Sequence, residues 1–152
     1  MLDTMKGKAV ATLAAGEGEM LDVFGASMVV KADPARSGFF LADHVVPPGY
    51  FVPLHSHAEE EVLFILDGAL TLLDGTGERQ GGPGETVHLP RGVAHGFRND
   101  TARPARLLVA LWPGRQGLAM FRHLSRAGRA APGGLTPLEI IAICAQHGVT
   151  MG

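Results

Sequence analysis

The sequence predicts an all-β barrel or sandwich followed by one or two short C-terminal helices. Frequent Gly (21) and Pro (10) residues divide most of the chain into short apolar runs, which are typical of strands in these folds. Asp-Gly pairs at 67–68 and 74–75 indicate tight turns, so we expect the strands before and after Gly68 to pair as a hairpin. The apolar runs are 28–30, 39–41, 62–66, 70–73, 87–89 and 107–112.

Helical spacing of apolar residues appears only after Pro113. It predicts a first helix over 117–125 and a loop over 126–134. A second helix should begin after Thr136, because Thr136 and Glu139 form a capping box. Its predicted buried stripe consists of Leu138, Ile141, Ala142 and Ala145. We therefore divide this chain into an N-terminal arm (1–17), a β-barrel (18–113) and a helical extension that packs on the barrel (114–152).

Size and charge limit the functions to consider. The chain of 152 residues, with 46% hydrophobic and 18% charged residues, is expected to form one globular domain. A formal net charge of −2 argues against nucleic acid or an anionic membrane as a partner. The one cysteine, Cys144, excludes an intramolecular disulfide and fits a reducing compartment. The short alanine-rich run after Lys8 does not predict a signal peptide, so we expect a cytoplasmic protein.

Four residues form a candidate metal site. His55 and His57 share one face of a strand, since alternate side chains point the same way. Glu61 has the same parity, and a barrel would bring His95 beside them from a distant segment. Three imidazoles and a carboxylate suit one divalent transition metal: Fe, Ni, Mn, Co, Cu or Zn. An octahedral ion would keep two positions open for water, substrate or dioxygen.

These residues lie in two longer motifs, GYFVPLHSHAEEEVLFILDG (49–68) and GETVHLPRGVAHGFRN (84–99). Both resemble the signature motifs of the cupin superfamily, and the chain is similar to small single-domain cupins of the quercetin 2,3-dioxygenase type. The resemblance implies a jelly-roll barrel, a metal bound by the four matched residues, and commonly a homodimer. In these motifs we interpret Gly49, Gly68, Gly84, Pro90, Gly92 and Asn99 as structural.

The resemblance suggests a metal-dependent dioxygenase in which Glu61 also acts as a base towards a small organic substrate. Leu63, Ile65 and Phe97 share the parity of the metal ligands and should line an apolar substrate pocket. Cupins catalyse many reactions, and a fold alone assigns none. An oxygen-independent isomerase, epimerase or decarboxylase that uses the metal as a Lewis acid is therefore an alternative. A non-catalytic cupin that binds a small ligand is another.

Other polar residues near the motifs are expected to be structural. Glu59 and Glu60 are most simply solvated, and His44 and His147 look like surface or helix-cap residues. His88 should pack in a strand. His123 would approach the ligand if the first helix caps the barrel.

The strand over 62–66 is apolar on both faces. The outward residues Val62, Phe64 and Leu66 need cover. Either the helical extension or a second subunit can provide it, and we expect a homodimer.

Overall fold

Two antiparallel β-sheets form a barrel in the computed structural model, which describes residues 9–152. The first sheet has the strand order β1-β2-β3-β10-β5-β8, and the second has the order β11-β4-β9-β6-β7. The strands are β1 (Glu19–Val23), β2 (Ala26–Ala32), β3 (Phe40–Val46), β4 (Phe51–Ser56), β5 (Glu60–Asp67), β6 (Leu70–Asp74), β7 (Gly77–Gly81), β8 (Thr86–Leu89), β9 (His95–Arg98), β10 (Ala105–Trp112) and β11 (Thr150–Met151). This mainly β architecture confirms the predicted jelly-roll barrel. Of the predicted N-terminal arm, residues 1–8 lie outside the described part of the chain.

The core forms where alternate residues of the strands face inward. Along β3, residues Phe40, Ala42, His44 and Val46 are buried, while the residues between them are partly exposed. β10 shows the same alternation, and its inward residues are Ala105, Leu107, Val109 and Leu111. This two-residue period places one apolar face of each strand in the barrel interior.

The turn at Gly68 does not join a hairpin. β5 pairs with β10 and β8 in the first sheet, whereas β6 pairs with β9 and β7 in the second. The predicted pairing across Gly68 is therefore wrong, because the chain crosses between sheets here. Gly68 has φ +78°, and a Cβ there would lie 2.8 Å from the Cα of Ala105, so the crossing needs glycine. The second Asp-Gly pair does join a hairpin, since β6 pairs with β7.

The chain has a short helix, α1 (Pro34–Ser37), and two longer helices, α2 (Arg115–Ala130) and α3 (Pro137–Gln146). α2 continues through most of the segment predicted as a loop. Its basic residues favour a helix, and Arg122 and Arg129 contact Glu19 and the Met20 carbonyl of β1. Docking against this edge strand extends the helix beyond the part that apolar spacing reveals.

α3 begins at the predicted capping box: the Thr136 hydroxyl accepts from the Glu139 amide, and the Glu139 carboxylate accepts from the Thr136 amide. Its predicted buried stripe is wrong. Leu138 is 78% exposed, whereas Ile143 and Cys144 are buried. Two stripes of α3 have helical spacing, and only docking on the barrel selects one. No helix within residues 9–152 is both long and apolar enough to cross a membrane.

The segment after α3 returns to the barrel. β11 adds a strand to the second sheet, where Thr150 and Met151 pair with Ser56 and His55 of β4. The C-terminal extension therefore packs on the barrel and also adds a strand beside β4, which carries His55.

Candidate metal centre

Three histidines meet at one end of the barrel interior. His55 lies on β4 and pairs with His95 at the start of β9, and His57 follows β4 directly. One ring nitrogen from each of the three lies within 4.8 Å of the others, close enough for a single ion. Strand pairing thus brings the two motifs together, as the spacing of the sequence predicted.

Backbone carbonyls fix the direction of all three rings. Nδ1 of His55 lies 2.9 Å from the Pro53 carbonyl oxygen, that of His57 lies 2.8 Å from Glu59, and that of His95 lies 2.9 Å from Val93. With Nδ1 donating, each Nε2 keeps its lone pair for a metal. Nε2 of His95 is buried and has no hydrogen-bond partner among the described residues. An orphaned imidazole nitrogen of this kind fits a metal ligand.

Glu61 completes the set from the opposite sheet. Its Oε2 lies 2.9 Å from Nε2 of His57 and 3.3 Å from Nε2 of His95. Burial raises the pKa of this carboxyl, but the two neighbouring imidazoles outweigh burial and lower the pKa to about 2. An ionised carboxylate beside three imidazole nitrogens has the donor chemistry that divalent transition metals prefer. The structure thus places the Glu61 carboxylate beside His57 and His95, and the three histidines lie close enough together to hold one metal ion.

A cavity of about 1370 Å³ opens from this centre. Residues of both sheets and of α2 line it, including Val52, Phe97, Val109, Met120 and Phe121. Of the three predicted pocket residues, Phe97 lines the cavity, but Leu63 and Ile65 do not. Leu63 and Ile65 are both fully buried in packed parts of the interior. Alternation along the strand correctly predicted that both side chains face inward, but it does not predict how far along the strand the cavity extends.

His44 is a cavity residue that the sequence analysis missed. It was expected at the surface, yet it is 4% exposed, lines the cavity, and has its Nδ1 2.9 Å from the Ser27 carbonyl oxygen. Burial lowers the pKa of His44, which keeps the ring neutral with Nε2 as a free acceptor. Its position in the alternation Phe40-Ala42-His44-Val46 was the available signal.

The two glutamates predicted as solvated differ in the structure. Glu59 is 5% exposed and binds the beginning of α2, so its assignment as solvated is wrong. Glu60 contacts the exposed ring of His88 at 2.5 Å. His88 therefore does not pack in the core.

Two further positions act outside the cavity. His123 does not line the cavity and instead contacts His147, with 3.0 Å between Nδ1 and Nε2. Asn99 is fully buried, and its amide donates to the carbonyls of Val46 and Arg103, the backbone role predicted for it.

Comparisons with known proteins show what this chain is similar to. Residues 43–111 match the Cupin domain family model. The dimethylsulfoniopropionate lyase DddQ of Ruegeria pomeroyi is 44% identical over 99 residues, which cover 63% of this chain. The matched region spans only 48% of that lyase, about half its length.

Solved structures share the barrel. A sugar phosphate isomerase of the cupin superfamily from Silicibacter pomeroyi is 27% identical with a TM-score of 0.60, and the match covers 67% of this chain and 75% of that one. The polyketide cyclase RemF from Streptomyces resistomycificus is 22% identical with a TM-score of 0.61 (69% and 80% covered), a likeness of fold alone. These relatives do not support the narrower resemblance to quercetin dioxygenases. The family match over residues 43–111 and the shared barrel thus make this chain similar to proteins of the cupin superfamily.

Proposed function

We propose that this protein is a metal-dependent enzyme that acts on a small organic molecule. The convergence of three oriented imidazoles and the Glu61 carboxylate at the end of an apolar cavity carries this proposal. His55, His57, Glu61 and His95 would hold the ion. When bound, a divalent metal supplies Lewis-acid polarisation of a substrate carbonyl or carboxylate oxygen. Phe97 and the apolar residues of the cavity would exclude water around the substrate.

The chain offers two further polar functions inside this cavity. Glu61 is placed to accept a proton from a substrate carbon. Nε2 of His44 is placed to accept a hydrogen bond from a distant part of the substrate. His44 lies four residues along β3 from Phe40, which aligns across β10 with Glu61.

The reaction we favour is oxygen-independent proton abstraction beside a carbonyl or carboxylate, followed by elimination or isomerisation. The names of the relatives support it: they describe a lyase and an isomerase. For dimethylsulfoniopropionate, loss of the proton next to the carboxylate and cleavage of the C–S bond would give dimethyl sulfide, acrylate and one proton.

Anaerobic assays of metal-loaded protein test this proposal. We expect release of dimethyl sulfide from dimethylsulfoniopropionate, or exchange of deuterium from D₂O into small keto acids, at the same rate with and without oxygen. The variant His57→Ala should show neither reaction, because it lacks a metal ligand. If the wild type shows no release or exchange above His57→Ala, the proposed reaction class is wrong.

A dioxygenase is the second candidate, and the apolar lining of the cavity favours it. A dry pocket protects oxygen chemistry from side reactions with water. Its test is oxygen consumption by metal-loaded protein with flavonols and enediols as substrates. Consumption that depends on both substrate and His57 would support this candidate over proton abstraction.

We also propose that the protein forms a homodimer through the outer face of the first sheet. Cross-strand pairs there are apolar: Phe64 faces Leu108, and Val62 faces Ala110. Phe64 is 38% exposed, since α2 packs mainly against β1. A flat apolar patch of this kind suits a two-fold interface, in which each subunit presents the same surface.

Light scattering coupled to size-exclusion chromatography tests the dimer. We expect twice the mass of the 152-residue chain for the wild type and the mass of one chain for Phe64→Glu, which buries a charge in the interface. Val10→Glu, at a site 89% exposed, is the control and should stay dimeric. A monomeric wild type at micromolar concentration would contradict the proposal.

A further inference from the structure

Glu59 is a buried carboxylate that the proposed chemistry does not use. Its Oε2 accepts from the Gly114 amide at 2.5 Å and its Oε1 from the Gly117 amide at 2.6 Å, with a longer contact of 3.4 Å to the Gln116 amide. α2 begins after Gly114, whose own position provides no side-chain cap. The first amides of a helix need acceptors, and here a residue more than fifty positions earlier supplies them. A negative charge also suits this end of the helix dipole.

The contact between Glu59 and α2 is closely fitted. A Cβ on Gly117 would lie 2.4 Å from Cδ1 of Leu111 and 3.1 Å from Oε1 of Glu59. An added Cβ there would force the Leu111 side chain or the beginning of α2 to shift.

The backbone of Glu59 acts on the metal centre. Its carbonyl oxygen lies 2.8 Å from Nδ1 of His57, which aims Nε2 of that ring at the other ligands. Glu61, two residues further, carries the carboxylate of the centre. One residue therefore holds the helix through its side chain and a metal ligand through its backbone.

α2 also forms a wall of the cavity. Gln116, Gly117, Met120 and Phe121 of its first two turns line the same space as the three histidines. A displacement of the beginning of α2 would therefore change the cavity wall and, through Glu59, the segment that orients His57.

We propose that Glu59 is a positioning residue that couples docking of α2 to metal binding. The inference rests on the proposed metal centre and adds a second element to it. Coupling is reciprocal: if a docked α2 favours the metal-binding geometry, then metal binding stabilises the docked α2 by the same free energy. The C-terminal extension is then part of the metal centre as well as a cover for the barrel.

Titration with Co²⁺, followed by its visible absorption, measures how docking of α2 affects metal binding. We expect Glu59→Ala to weaken Co²⁺ binding by about tenfold, because the segment whose backbone carbonyl orients His57 loses its attachment to α2. Glu59→Gln turns an amide group towards the helix amides, so it should also weaken Co²⁺ binding. Because it keeps the size of the side chain, the loss should be smaller than for Glu59→Ala. Gly117→Ala perturbs the same contact from the helix side and should also weaken it.

Glu60→Gln is the matched control. Its carboxylate contacts His88 and the Arg91 amide, both exposed, so this variant should bind Co²⁺ as the wild type does.

Hydrogen exchange of the amides at the beginning of α2 measures the reverse effect, the stabilisation of α2 by metal binding. Co²⁺ should slow exchange over 114–120 in the wild type and in Glu60→Gln, and this protection should disappear in Glu59→Ala. Thermal unfolding of the metal-free proteins, recorded in parallel, identifies any variant that does not fold, and Glu59→Gln is then the deciding variant.

Several results would overturn the inference. Glu59 variants that unfold at lower temperature but bind Co²⁺ within twofold of the wild type would show a helix cap without coupling. Unchanged hydrogen exchange in α2 when Co²⁺ is added to the wild type would also overturn the inference. A wild type that binds no Co²⁺ would overturn the metal centre itself. Absence of turnover with every substrate would reject only the proposed reaction and leave these binding measurements standing.

Discussion

Replacement of His95 by alanine is expected to remove high-affinity metal binding. Nε2 of His95 is buried with no hydrogen-bond partner within residues 9–152, and Nδ1 lies against the Val93 carbonyl, so the ring already points its free nitrogen at the centre. Loss of a ligand should cost well over the ~100-fold that loss of an orienting residue costs. Elemental analysis of protein purified without an affinity tag, together with Co²⁺ titration, measures the change.

Thermal unfolding provides an independent readout for His95. A metal that binds only the folded protein raises its unfolding temperature in proportion to the logarithm of metal concentration over Kd. We expect this increase in the wild type and in the control His88→Ala, whose ring is exposed. His95→Ala should show none. Equal stabilisation of His95→Ala and the wild type would rule out this ligand set.

Replacement of Asn99 is expected to cause the largest loss of stability. The side chain is fully buried and makes four hydrogen bonds: its amide donates to the Val46 and Arg103 carbonyls, and its oxygen accepts from the amide and hydroxyl of Thr101. Asn99→Ala removes these four hydrogen bonds from a fully buried position, so the free energy of unfolding should fall by about 3 kcal/mol. Urea unfolding of the metal-free protein measures it.

Two further variants sharpen the Asn99 experiment. Asn99→Asp preserves the accepting oxygen but places a second oxygen against two carbonyls, so it should destabilise the protein at least as much as Asn99→Ala. Gln80→Ala changes an exposed residue of β7 and should alter stability by less than ~0.5 kcal/mol. If Asn99→Asp were as stable as the wild type, the donated hydrogen bonds would not hold these loops together.

The barrel and the ligand set were predictable because short-range patterns encode them. Alternate burial along β3 and β10 follows the two-residue period of a strand. The spacing of His55 and His57 follows the same period, and the second motif contains His95. Glu61 lies on β5 of the opposite sheet, so its approach to the histidines depends on the chain crossing between sheets. The capping box at Thr136 is equally local, since all its partners lie within four residues of one another.

Predictions that depended on how elements dock were less successful. Gly68 has the sequence of a hairpin turn, yet the chain crosses to the other sheet there, because β5 is paired on both sides by β8 and β10. Leu63 and Ile65 face inward as expected but lie where the interior is packed. α3 has two stripes with helical spacing, and the buried one is set by contact with the barrel.

By itself, the sequence determined most of the strand pattern, the two motifs that resemble those of cupins and the identity of the candidate ligands, because each depends on short-range patterns in the chain. Only the tertiary structure decided the positions of Glu59 and His44. In the sequence, Glu59 is one of three consecutive acidic residues. Its carboxylate is buried only because the beginning of α2, more than fifty residues later, packs against it and donates backbone amides. His44 is in phase with the inward residues of β3, but the cavity that it lines forms only when the two sheets pack together. Burial of a polar side chain depends on what long-range folding brings to it, and local sequence does not contain that information.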